Sequence, residues 1–138
     1  MTLVDTSVWI DFFAGRETPH VRRVVDLLIA EDDLCLCGVV LAEILQGIRD
    51  DHEYELTKTM LTNLLWFPME RNVFLQAANI YRTLRKRGLT IRNSVDCMIA
   101  AVCLEYELDL LHHDRDFDVI AEHFDLRDVD MNANFMRT

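Results

Sequence analysis

Four acidic residues stand where the pattern of this chain changes: Asp5, Glu43, Asp96 and Asp114. Asp5 follows the short β-prone segment Thr2 to Val4, and Asp114 follows the apolar run from Leu108. Glu43 and Asp96 fall early in helical patterns. If the fold gathers them, the carboxylates repel one another and an empty pocket raises some of their pKa values. A divalent cation relieves that cost, and an all-oxygen ligand set suits Mg²⁺ or Mn²⁺ and not zinc. Such a cation orients water, lowers its pKa and stabilises charge on a phosphoryl group, which makes phosphodiester hydrolysis the natural reaction. Each acid also has a plainer use. Asp5, Asp96 and Asp114 sit where a side chain caps a helix. Glu43 lies among Val39, Val40, Leu41, Ile44 and Leu45, where a buried unpaired carboxylate is costly.

The surrounding elements decide whether the four acids meet. Helical spacing predicts helices from Ser7 to Ala14, behind Thr18 and Pro19, through Leu41, Ile44, Leu45 and Ile48, and from Glu53 to Leu64. A longer helix is predicted from Glu70 to Arg87, ended by Gly88, and another behind Asn93 or Ser94. A last, short helix runs from Arg115 to about His123. Strands are predicted at Thr2–Val4, Leu34–Cys37, Trp66 and Phe67, and Leu108–His112, with an edge strand over Leu126–Val129. The tail from Met131 to Thr138 carries no pattern. Alternating strands and helices predict an α/β sandwich with a mostly parallel sheet, and the 138 residues suit a single domain. In such a sheet ligands bind beyond the carboxyl ends of the strands. All four acids are expected on that one edge.

The net charge of −10 argues against a protein that holds nucleic acid by bulk attraction. Five of the fourteen basic residues are nevertheless local: Arg82, Arg85, Lys86, Arg87 and Arg92. Arg82, Arg85, Lys86 and Arg92 are candidate contacts to a phosphate backbone, although cations at a helix C-terminus are favoured by its dipole alone. The cysteines Cys35, Cys37, Cys97 and Cys103 make no zinc spacing and read as buried structural thiols. His112 and His113 alternate on a strand, so both cannot face the pocket, and neither is placed in the metal set. The aromatic excess of Trp9, Phe12 and Phe13 belongs either to the core or to a groove. No apolar run reaches membrane-spanning length and Met1 to Asp5 has no signal character, so the expected location is cytoplasmic, with no membrane partner.

Four motifs carry a resemblance to a known family. Val4-Asp5-Thr6-Ser7-Val8-Trp9-Ile10-Asp11 resembles the opening of PIN-domain proteins, above all the VapC toxins of bacterial toxin–antitoxin pairs. Ala42-Glu43-Ile44-Leu45-Gln46-Gly47, Val95-Asp96-Cys97-Met98-Ile99-Ala100-Ala101 and Leu110-Leu111-His112-His113-Asp114-Arg115-Asp116-Phe117 resemble the second, third and fourth motifs in order. The resemblance implies a PIN-like three-layer α/β/α sandwich and a ribonuclease dependent on Mg²⁺ or Mn²⁺. It also implies an RNA substrate, a homodimer and an inhibitory antitoxin. From their place on a short helix beside the acids, Trp9 and Phe13 are candidate antitoxin contacts, unless both are buried in the core. Asp5, Glu43, Asp96 and Asp114 take the role of metal-site acids, with Asp116 either an accessory acid or the residue that holds the helix start. Many relatives carry Thr where this chain has His112, and an imidazole does not simply replace a small hydroxyl.

Three other readings compete. A phosphoacceptor signalling domain shares the acidic α/β pocket but wants a late lysine, and this chain has only Lys58 and Lys86. A PIN-like module that binds without catalysis would not need all four acids. A metal-dependent DNA nuclease would use the same acids, so the choice of RNA rests on the resemblance.

Overall fold

The computed structural model describes residues 1–131, and the featureless tail lies outside them save for Met131. The chain forms β1 (Thr2–Val4), α1 (Thr6–Phe13), α2 (Pro19–Ile29), β2 (Leu34–Leu36), α3 (Gly38–Gln46) and α4 (Asp51–Leu61). It continues through β3 (Leu65–Trp66), α5 (Arg71–Lys86), α6 (Ser94–Tyr106), β4 (Asp109–Leu111), α7 (Arg115–His123) and β5 (Arg127–Asp128). The strands form one sheet in the order β3-β2-β1-β4-β5, and every pairing is parallel. The expected mostly parallel sheet is therefore wholly parallel among the described residues.

Neighbouring residues of a strand point to opposite faces. Leu3, Val4, Leu34, Cys35 and Leu36 are all buried, so helices cover both faces of the sheet. α5 contributes the stripe Val73, Ala77, Ile80 and Leu84 to this core. It ends as expected at Gly88 (φ +78°), where the Leu89 and Gly88 amides return to the carbonyls of Leu84 and Arg85. Arg85 and Lys86 occupy the last turn, and the Arg85 guanidinium lies over the Tyr81 ring. α4 starts two residues before its expected position, because Asp50 accepts the Glu53 amide and caps it. β3 lies one residue earlier than expected, although Phe67 still donates to the Leu36 carbonyl.

The topology has one reversal. From β1 the chain moves outward through β2 to β3, then crosses back to β4 and β5 on the other side of β1. The crevice at such a switch point is where doubly wound sheets bind ligands. Here it lies beyond the ends of β1 and β4, which the Asp5 amide joins by a 2.9 Å bond to the Leu111 carbonyl.

Candidate active site

All four predicted acids reach this crevice. Asp5 is the N-cap residue of α1, but its carboxylate makes no capping bond and instead accepts the Ser7 hydroxyl at 2.7 Å. Glu43 projects from α3 and accepts the Thr6 hydroxyl at 2.8 Å. Asp96 lies in the first turn of α6, whose cap is Asn93, accepting the Val95 amide at 3.0 Å. Asp114 caps α7 by accepting the Asp116 amide at 2.8 Å. Asp116 accepts the Arg92 amide at 3.3 Å. The carboxylate oxygens of Asp96, Asp114 and Asp116 come within 4.8 Å of one another.

Asp5, Glu43, Asp96, Asp114 and Asp116 line one cavity of about 390 Å³, together with Thr6, Ser7, Ile10, Arg92 and Asn93. The plainer readings thus divide. Asp114 both caps a helix and faces the cavity, whereas Asp5 and Asp96 leave their carboxylates available. From sequence, Thr6 and Ser7 take at most a share in capping the first helix and no role in the site. Their signal was present, since two hydroxyl residues directly after an acid can hold it and a neighbour. Of the four basic candidates only Arg92 borders the cavity, and Arg82, Arg85 and Lys86 belong to α5. Neither lysine of the chain lines it, which removes the main support for a phosphoacceptor reading.

The electrostatics match the crowding. Burial first, then repulsion from Asp5, Asp114, Asp116 and Glu43, raises Asp96 from 3.8 to about 7. Burial also raises Asp5, partly offset by the Ser7 hydroxyl. This donor set, all oxygen and mutually repelling, fits a divalent cation. Asp96 holds its proton in the folded state up to about pH 7 but loses it near pH 4 when unfolded. The stability this confers is complete below pH 4 and is lost as pH rises through about 7. Mn²⁺ should therefore raise the melting temperature more at pH 7.5 than at pH 5, as thermal unfolding will show. An equal rise at both would mean that the carboxylates are not under this strain.

All four cysteines are buried, and burial pushes Cys35 and Cys97 up to about 11. No helix among the described residues is long and apolar enough to cross a membrane.

A doubly wound parallel sheet with acids collected at its switch point defines a class of protein, and comparison identifies it. The chain belongs to the PIN-domain family, whose model matches residues 2–123. Ribonuclease VapC11 of Mycobacterium tuberculosis (strain ATCC 25618 / H37Rv) is 35% identical over 125 residues, covering 88% of this chain and 92% of that protein. The same fold occurs in VapBC-1 from nontypeable Haemophilus influenzae, at TM-score 0.73 and 24% identity, covering 96% of this chain and 98% of that one. It also occurs in a toxin–antitoxin complex from Klebsiella pneumoniae, at TM-score 0.66 and 16% identity, covering 85% and 90%.

Proposed function

We propose that the chain is a ribonuclease that hydrolyses RNA phosphodiester bonds with Mg²⁺ or Mn²⁺, and that it is the toxin of a toxin–antitoxin pair. The observation that carries the catalytic reading is the convergence of Asp5, Glu43, Asp96 and Asp114 on one cavity with Asp116 beside them. RNA as substrate is supported by the likeness to VapC11. A protein antitoxin is supported by the fold shared with a toxin–antitoxin complex, and a homodimer rests on the sequence resemblance alone.

In this reading Asp96, Asp114 and Asp116, whose carboxylate oxygens lie within 4.8 Å of one another, would hold the cation, with Asp5 and Glu43 completing the acidic wall. A bound divalent cation supplies the positive charge that offsets a phosphate's approach, and it acidifies water. The chain's own residues do the rest. Ser7 and Thr6 donate to Asp5 and Glu43 and fix the direction of those carboxylates. Arg92, with an exposed side chain at the rim, offers a guanidinium to the RNA backbone. Burial and the neighbouring carboxylates raise Asp96 to about 7, so cation binding near neutral pH would release a proton.

A single-stranded RNA of mixed sequence tests the proposal. Cleavage should stop with chelator and return with Mg²⁺ or Mn²⁺ but not with metal-free buffer alone. Cleavage that persists in chelator would refute the metal reading. A fully metal-loaded protein that cuts neither RNA nor DNA would make the chain a binding module.

A further inference from the structure

His112 lies one residue past β4, two before Asp114, with a side chain only 6% exposed. Its ring packs on that of Phe117 at 4.9 Å between centroids. The Asp114 backbone amide donates to its Nδ1 at 3.1 Å, and its Nε2 lies 2.9 Å from Asp128 Oδ1 on β5. A neutral imidazole has one donor and one acceptor nitrogen. A backbone N–H can only donate, so Nδ1 offers its lone pair and Nε2 carries the proton that Asp128 receives. One tautomer satisfies all three groups.

We propose that His112 is a positioning residue, whose imidazole holds the Asp114 backbone at Nδ1 and is itself held at Nε2 by Asp128 of β5. The proposal rests on the reading of Asp114 as a cation-holding acid. A small hydroxyl at this position would accept an amide proton from two residues onward by the same local geometry. The imidazole reproduces that acceptor and adds a second tether. Asp128 pairs in register with Leu110 of β4, so the loop after β4 is steadied by the sheet itself. Asp114 in turn accepts the Asp116 amide, so backbone and carboxylate are fixed together.

A different use of the same groups is weaker. His112, Asp118 and Asp128 present ligand atoms within 4.8 Å of one another, close enough to hold a cation. A cation on Nε2 would move the proton to Nδ1, where it would face the Asp114 N–H, donor against donor. The hydrogen bonds present favour positioning.

The test uses the full chain. Long-range ¹H–¹⁵N spectra of histidine-labelled protein should show His112 protonated at Nε2. Mn²⁺ binding, followed by electron paramagnetic resonance, should weaken roughly ten- to a hundred-fold in His112→Val. His112→Asn, whose Oδ1 replaces the Nδ1 acceptor, should recover most of that loss. Asp114→Asn sets the control. If Asp114→Asn binds Mn²⁺ like wild type, the site reading fails and takes the positioning role with it. If Asp114→Asn weakens binding but His112→Val does not, positioning alone is overturned. Protonation at Nδ1, or Mn²⁺ broadening of the His112 ring signals in Asp114→Asn, would also overturn it, by making the triad a cation site in its own right. Should His112→Val not fold, the tautomer and the Asn variant decide the matter.

Discussion

Asp96→Asn should lower RNA cleavage on the order of a thousand-fold or more while the protein stays folded. Asn matches Asp in size and removes only the charge and its oxygen ligand. The α6 cap is not disturbed, because Asn93 provides it. The metal-free variant should also melt higher than wild type at pH 7.5 and equally at pH 4. Asp96 is the acid held to about 7 by burial and by four neighbouring carboxylates, and Asn removes that repulsion. Activity and stability should thus move in opposite directions, as expected where function holds strained groups together. Gel-resolved cleavage and thermal unfolding measure the two. Undiminished cleavage would remove Asp96 from the mechanism, and a lowered melting point would mean that its charge is satisfied in the empty pocket.

Trp9→Ala should be the most destabilising single change in α1, by about 3–5 kcal/mol. That corresponds to a melting point lower by roughly 10–15 °C in a chain of this size. Trp9 is 0% exposed and packs against Phe12 edge-on at 5.5 Å and against Phe13 at 5.7 Å. This corrects the expectation that Trp9 touches an antitoxin, since its surface is spent on the core. Half-buried Phe13 and exposed Ile10 keep accessible area. The Trp9 indole N–H has no hydrogen-bond partner among the described residues. Trp9→Phe should therefore cost no more than about 1.5 kcal/mol, because it keeps most of the bulk and removes an unsatisfied donor. Urea unfolding separates the cases. A Trp9→Ala protein as stable as wild type would return this residue to the surface.

The acids were legible because topology places them. Asp5 and Asp114 follow strands, Asp96 opens a helix, and a parallel sheet brings such positions to one edge whatever their separation in sequence. Glu43 was legible because a carboxylate among aliphatic residues needs a partner, and Thr6 is that partner. The basic run was ambiguous because two causes give the same composition. Arg85 and Lys86 finish a helix, whereas Arg92, beyond Gly88, turns to the cavity. The aromatic cluster was ambiguous because helical spacing does not say which side of α1 faces the sheet. His112 was illegible in principle. Alternation on a strand gives the side of a ring, but only distances to Asp114 and Asp128 reveal its tautomer.

The central strand has a further consequence, for the order in which the protein is made. β1 is synthesised first, yet it pairs with β4 as well as β2, and Thr2 lies opposite Asp109. Long-range parallel pairings of this kind are slow to form, and they wait for the later partner. A growing chain can join β1 to β2, but it lacks the second wall of the crevice until β4 has left the ribosome. Asp114 and Asp116 emerge later still. No N-terminal fragment that ends before Asp114 carries the whole acidic cluster, so a translation product interrupted there would be a nuclease without its scissors.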